Sequence, residues 1–150
     1  PDKPSLSPGS GEFRSGSDNE VWNFGDEAYA IMRKYMLLRE ALRPYIRDAM
    51  RSAHERGTPP MRPLFYDFPD DPEAWEIEDE YLFGADLLVA PVLSDGLRKR
   101  EAYLPAGCDW TEAATGIEFG GGRRVEVAAP LDSIPLFLRR GSSLDPAIFR

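Results

Sequence analysis

Apolar side chains recur in steps of three and four along the first half of this sequence, at Ala28, Ile31, Met32, Tyr35, Leu38, Leu42, Tyr45, Ile46, Ala49, Met50 and Ala53. That spacing draws one stripe along a helix expected over residues 26–56, and so long a stripe needs an equally long apolar surface to lie on. Arg33, Lys34, Arg39, Glu40, Arg43, Arg47, Asp48 and Arg51 fill the opposite face. Asp26 and Glu27 suit the positive end of the helix dipole, Gly57 supplies the stop, and Pro59 and Pro60 prevent resumption. Pro44 removes a backbone donor inside the run, so a kink or a break into two helices is expected there. Little in the first 20 residues can supply that surface. Residues 1–20 are poor in apolar side chains and read as disordered or linker-like, with an artificial or misread start as an alternative.

Beyond the helix, residues 61–69 read as an extended, aromatic-rich segment between prolines. Asp71, Pro72 and Glu73 form a strong helix start, and a short helix is expected through Ala74, Trp75, Ile77 and Glu80, ending before Gly84. The character then changes. Residues 86–93 read as a short buried strand in which Pro91 implies an edge or a bulge. Further strands are expected at 100–104, 107–111, 116–119, 123–128 and 134–139, separated by Gly, Pro and Asp clusters, which suggests a small antiparallel sandwich. Its expected core is Leu87, Leu88, Val89, Val92, Tyr103, Leu104, Trp110, Val125, Val127, Ile134, Leu136 and Phe137.

Composition closes several functional classes. With 26 acidic against 18 basic residues the net charge is −8, and a nucleic-acid binder would need clustered Lys and Arg. A single cysteine, Cys108, excludes an intrachain disulfide, and with His54 the lone histidine a Cys/His zinc site is not expected. No metal or other cofactor is expected, and the longest apolar run, 87–93, is too short to span a bilayer. The chain opens on Pro1 rather than Met and reads as a fragment, so the lack of a signal peptide says little about export; where localisation is otherwise open, a cytoplasmic setting is favoured.

The candidate sites each have a plain structural reading. Asp67, Asp70, Asp71, Glu73, Glu76, Glu78, Asp79 and Glu80 are the densest acidic cluster, and two carboxylates at a fixed separation could cleave a glycoside. Capping already accounts for Asp71 and Glu73, and the others suit a solvated face. His54 has no Ser or Cys nucleophile at a suggestive spacing and sits where helix carbonyls would meet it. Cys108 lacks a basic neighbour in sequence and reads as a packing residue. Gly120, Gly121, Gly122, Arg123 and Arg124 lack the strand-then-helix context of a phosphate cradle and read as a flexible hairpin turn. Tyr103, Trp110 and Phe119 could make a sugar-binding platform, although core packing is the commoner use of such residues.

Taken in order, several pieces of residues 20–143 resemble one family. They include Trp22-Asn23-Phe24-Gly25, Leu42-Arg43-Pro44-Tyr45, Met61-Arg62-Pro63-Leu64-Phe65, Phe68-Pro69-Asp70-Asp71-Pro72, Phe83-Gly84-Ala85-Asp86, Val89-Ala90-Pro91-Val92, Leu104-Pro105-Ala106-Gly107 and Ile134-Pro135-Leu136-Phe137. This text is similar to the carboxy-terminal stretch of glycoside hydrolase family 31, the α-glucosidases and α-xylosidases. The resemblance implies an α+β fragment: a long amphipathic helix from the end of a (β/α)8 barrel, within residues 21–84, then a β-sandwich at 85–143 and a tail at 144–150. It also implies a retaining mechanism with two aspartates carried upstream, neither motif being present here. The sugar-binding histidine that commonly follows a Phe-Arg-type pair is absent after Phe13-Arg14-Ser15, which runs into Gly16. The chain is therefore expected to contribute scaffold with no catalytic, substrate-binding or metal-binding residue of its own. Its partner would be an α-linked oligosaccharide or glycoside held by the missing barrel, with no nucleic acid and no membrane. Self-association through the exposed helix face is expected, and a non-enzymatic β-module binding carbohydrate is the alternative.

Overall fold

The computed structural model describes residues 20–149. The reading of residues 1–19 as linker-like, and the place of the missing histidine, lie outside the described residues. The described residues divide into two units, one ending at Leu37 and the other beginning at Leu38. In the first, a 3-10 turn at Val21–Phe24 ends on Gly25, whose φ of 89° is easily adopted only without a Cβ. Helix α1, Asp26–Ala41, begins there and continues across the division. Helix α2 is Arg43–Arg56 in the second unit, so of the kink or break expected near Pro44 the chain takes the break, at Leu42. Pro44 falls in the first turn of α2, where its missing N–H breaks no intrahelical bond. Gly57, at φ 70°, closes α2 by donating its N–H to the Ala53 carbonyl.

Among the described residues eight strands follow, all in antiparallel pairs. They are β1 (Met61–Arg62), β2 (Tyr81–Phe83), β3 (Leu87–Val89), β4 (Lys99–Leu104), β5 (Asp109–Glu112), β6 (Glu118–Gly120), β7 (Arg123–Ala128) and β8 (Leu136–Arg139). One sheet has the order β1-β2-β3-β8-β5-β6, and β4 pairs with β7 in a second. The sheet thus takes in two strands from before residue 85.

Local expectations are corrected at four places. Only Met61–Arg62 of the 61–69 segment is extended, because Pro63 opens a single helical turn, α3 (Leu64–Asp67), that buries Leu64 and brings Asp67 back onto Arg62. The helix expected to reach Glu80 is a 3-10 turn at Pro72–Trp75, and Tyr81–Phe83 pairs with β3 instead. Cross-strand packing of aromatic and branched side chains outweighs weak helix propensity there. β3 is internal, bonded to both β2 and β8, and Pro91 lies beyond its end, so neither edge nor bulge is needed. The glycine run links β6 in one sheet to β7 in the other, so it is a crossover and no hairpin turn. A Cβ on Gly121 would stand 2.2 Å from the Pro105 carbonyl oxygen and 2.4 Å from that of Cys108, which explains why the backbone passes there without a side chain.

The register sorts the core into two faces. Leu82, Leu88 and Phe137 lie in one cross-strand row, buried together with Leu64, Trp110 and, from the second sheet, Ala102, Leu104 and Val127. Leu87, Val89 and Leu138 point to the opposite face, where Ala113 joins them and Leu144 and Phe149 pack. Of the expected core, Val92, Val125 and Leu136 are half-buried and Ile134 is exposed, because β8 begins only at Leu136. Leu64, Phe68 and Leu82 are core residues that periodicity did not single out.

Candidate functional site

The acidic cluster is the natural place to look for chemistry, and its inward members are committed to the fold. Asp71 caps the 3-10 turn by accepting from Glu73 N at 3.1 Å. Its two oxygens also accept from the Tyr103 hydroxyl at 2.9 and 2.7 Å and from Ala106 N at 2.8 Å. Burial pushes this carboxyl up, but those donors outweigh it and hold the group below the usual aspartate range. Asp67 pairs with the buried Arg62 at 2.7 Å, and Glu73 with Arg124 at 2.7 Å. Asp79 meets Arg100 at 2.7 Å. Glu80 is buried, against the expectation of a solvated face, and accepts from Tyr103 N at 2.8 Å. Asp70, Glu76 and Glu78 are exposed.

A cleft of about 370 Å³ borders Asp67, Asp70 and Asp71, with Phe68, Gly107 and Arg139 on its walls. Retaining glycoside cleavage needs one carboxylate free to attack and another free to donate a proton. Asp71, with both oxygens occupied by structural donors, and Asp67, held by Arg62, are free for neither. A second cleft, about 490 Å³, lies between α2 and the β2–β3 turn and is lined by Tyr45, Ser52, Arg56, Arg62, Tyr66 and Asp86 among others. Tyr45 fastens this wall, its hydroxyl donating to the Phe83 carbonyl at 2.7 Å and accepting from Asp86 N at 3.0 Å. Gly84 makes room for it, since a Cβ there would sit 2.1 Å from that oxygen. Burial raises both the Tyr45 phenol and the Asp86 carboxyl.

The remaining candidates fall in separate places. His54 is exposed in the last turn of α2. Cys108 is half-buried against the core, and burial pushes its thiol up although Arg139 opposes the shift. Tyr103 is 2% exposed and Trp110 0%, with the indole N–H donated to the Pro105 carbonyl, so neither can present a face to a sugar. Phe119 packs edge-on against Phe137. The aromatic pair that does reach solvent was missed by sequence reasoning: Trp75 stacks on Phe65 at 4.6 Å and is anchored by its N–H to the Pro69 carbonyl. Among the described residues no grouping of three His, Cys, Asp or Glu side chains could hold a metal ion, and no helix is long and apolar enough to cross a membrane.

Fold and clefts together define an α+β domain of helices and antiparallel sheets whose buried ionic groups serve structure. Residues 57–144 match the family described as glycosyl hydrolase family 31 C-terminal domain. The chain is 38% identical over 125 residues to alpha-glucosidase 2 of Bacillus thermoamyloliquefaciens, a match covering 83% of this chain and 16% of that protein. It is equally 38% identical over 125 residues to the alpha-xylosidase of Saccharolobus solfataricus, covering 83% of this chain and 17% of that one. Among solved structures, a family 31 alpha-xylosidase from a soil metagenome, complexed with xylose, superposes with a TM-score of 0.85 at 49% identity, over 90% of this chain and 20% of its own. The chain belongs to glycosyl hydrolase family 31. It spans only about a fifth or less of the length of these relatives.

Proposed function

We propose that this chain is the carboxy-terminal portion of a retaining α-glycosidase of the α-glucosidase or α-xylosidase type. In the full-length protein it would support hydrolysis of α-linked O-glycosyl bonds while lending no catalytic aspartate. The observation that carries the reading is the match to a xylose-complexed alpha-xylosidase at 49% identity over 90% of the chain. In this reading the helices within residues 21–84 close the carboxy-terminal part of a (β/α)8 barrel, and residues 85–143, extended by β1 and β2, form the sandwich beneath it. The substrate is an α-linked oligosaccharide or glycoside bound elsewhere in the parent. The alternative, a sugar-binding β-module, loses its platform because Tyr103 and Trp110 are buried.

The test compares the 150-residue chain with its full-length parent on aryl α-xylosides and aryl α-glucosides. The parent is expected to turn over at least one of them with retention, and the chain alone neither. Positioning a sugar between two free carboxyl groups supplies much of the rate, and in the cleft beside the acidic cluster Asp67 and Asp71 are already held by structural partners. Reproducible turnover by the chain, lost in Asp70→Asn or Asp71→Asn, would promote the acidic cluster to an active site and sink the proposal.

A further inference from the structure

Tyr103 is held at both ends by carboxylates from one loop, Asp71 at its hydroxyl and Glu80 at its backbone N–H, the latter at 2.8 Å. Glu80 directly precedes β2 in the six-stranded sheet, whereas Tyr103 belongs to β4 in the two-stranded one. One buried side chain therefore bridges the two sheets. The Glu80 side chain is 1% exposed, and only Oε1 is engaged, by Tyr103 N and more distantly by Arg100 Nη2 at 3.5 Å. Oε2 is buried with no partner among the described residues, and so is Nε of Arg100. The Arg100 guanidinium makes its short contact with Asp79, at 2.7 Å. Enclosed with one close donor, and with Arg100 drawn toward Asp79, the carboxyl is cut off from water, and burial of that kind favours the neutral acid.

The charged groups facing Glu80 come from three elements. Asp79 precedes it in the loop, Arg100 lies on β4, and Arg124 lies on β7, where Glu73 and Glu101 already pair with it. Asp71 stands at the far end of the Tyr103 side chain. We propose that Glu80 is a proton-operated clasp between the two sheets, closing them as the neutral acid and weakening their union when it ionises. Burial outweighs the Tyr103 amide and Arg100 and pushes Glu80 up to about 7, so the clasp works near neutral pH. The proton comes from solvent, and Oε1 remains free to accept the Tyr103 N–H in either state.

The direction follows from proton linkage. A carboxyl raised in the folded state binds a proton there that the unfolded chain has already released, so stability falls as pH rises from about 4.5 toward 7 and levels off above. The experiment is urea unfolding of the 150-residue chain between pH 5 and 9, beside the variant Glu80→Gln. The unfolding constant of the parent sequence is expected to rise on the order of a hundredfold across that window. The variant should show a much shallower dependence; Asp86, which burial also raises, and His54 are present in both proteins, so the difference between the two slopes isolates Glu80. An equal slope in both, or no slope in the parent sequence, would overturn the clasp. Should the variant fail to fold, carbon NMR of the Glu80 carboxyl in the parent sequence decides: a midpoint near 7 supports the proposal and one near the free value of about 4.3 overturns it. The outcome is independent of whether the full-length parent cleaves glycosides.

Discussion

Asp71 accepts from a side-chain hydroxyl and two backbone amides, joining the loop before the Pro72–Trp75 turn to β4 and to the chain just beyond it. Replacing it by Ala strands a buried phenol and two amides, which should destabilise the chain by about 3 kcal/mol in urea unfolding. Its carboxyl is held below the unfolded value, so its contribution is present above that value and lost as pH falls through the folded one. Asp71→Asn should therefore flatten acid unfolding below about pH 4; an unchanged acid limb would show that the hydroxyl contact carries no weight. The capping role was legible from Asp71-Pro72-Glu73 alone. The other partners were not, because Tyr103 and Ala106 lie 32 and 35 residues further on, beyond any local pattern. Glu80 misled for the same reason: among seven other acids it looks solvated, and only the pairing of β2 with β3 draws it inside.

At the level of elements, strands were easier to recognise than their order. Turn residues and apolar runs marked β4, β7 and β8 within a residue or two, since those signals are local. Sheet membership depends on contacts far apart in sequence, so the pairing of β4 with β7 and the crossover at Gly121 left no readable trace. Short helical pieces failed in both directions, as a single turn such as α3 has too few residues for a period to register. β3 offers the decisive test of the sheet, because it is bonded on both sides and Val89 is 7% exposed among Leu87, Ala113 and Leu138. Val89→Asp would bury an unpaired charge at a cost of several kcal/mol, comparable with the whole stability of a domain. The variant should lose its cooperative thermal transition by circular dichroism. A melt like that of the parent sequence would mean the strand is not the centre of the sheet.

Across the described residues, both long helices leave large apolar side chains exposed. α1 has no buried residue, and Tyr29, Met32, Met36 and Leu37 on it are all at least 37% exposed. On α2, Met50 is 57% exposed. Helices of this length are marginal in water unless an apolar face is covered. The sequence stripe foretold only part of this: Met32 and Met50 belong to it, whereas Tyr29, Met36 and Leu37 lie off it, Leu42 is buried and its other members are half-buried. The matched stretch is 16% and 17% of two relatives, so each carries far more protein that could cover such a face. In isolation the same faces should find each other, because contiguous apolar surface drives association. Sedimentation velocity of the 150-residue chain is therefore expected to report a concentration-dependent dimer or higher species. Met36→Glu with Leu37→Lys should shift it toward monomer without lowering the urea midpoint of the sheets. A chain that stays strictly monomeric at high concentration would mean that α1 does not present a sticky face, and that its helical state needs no cover at all.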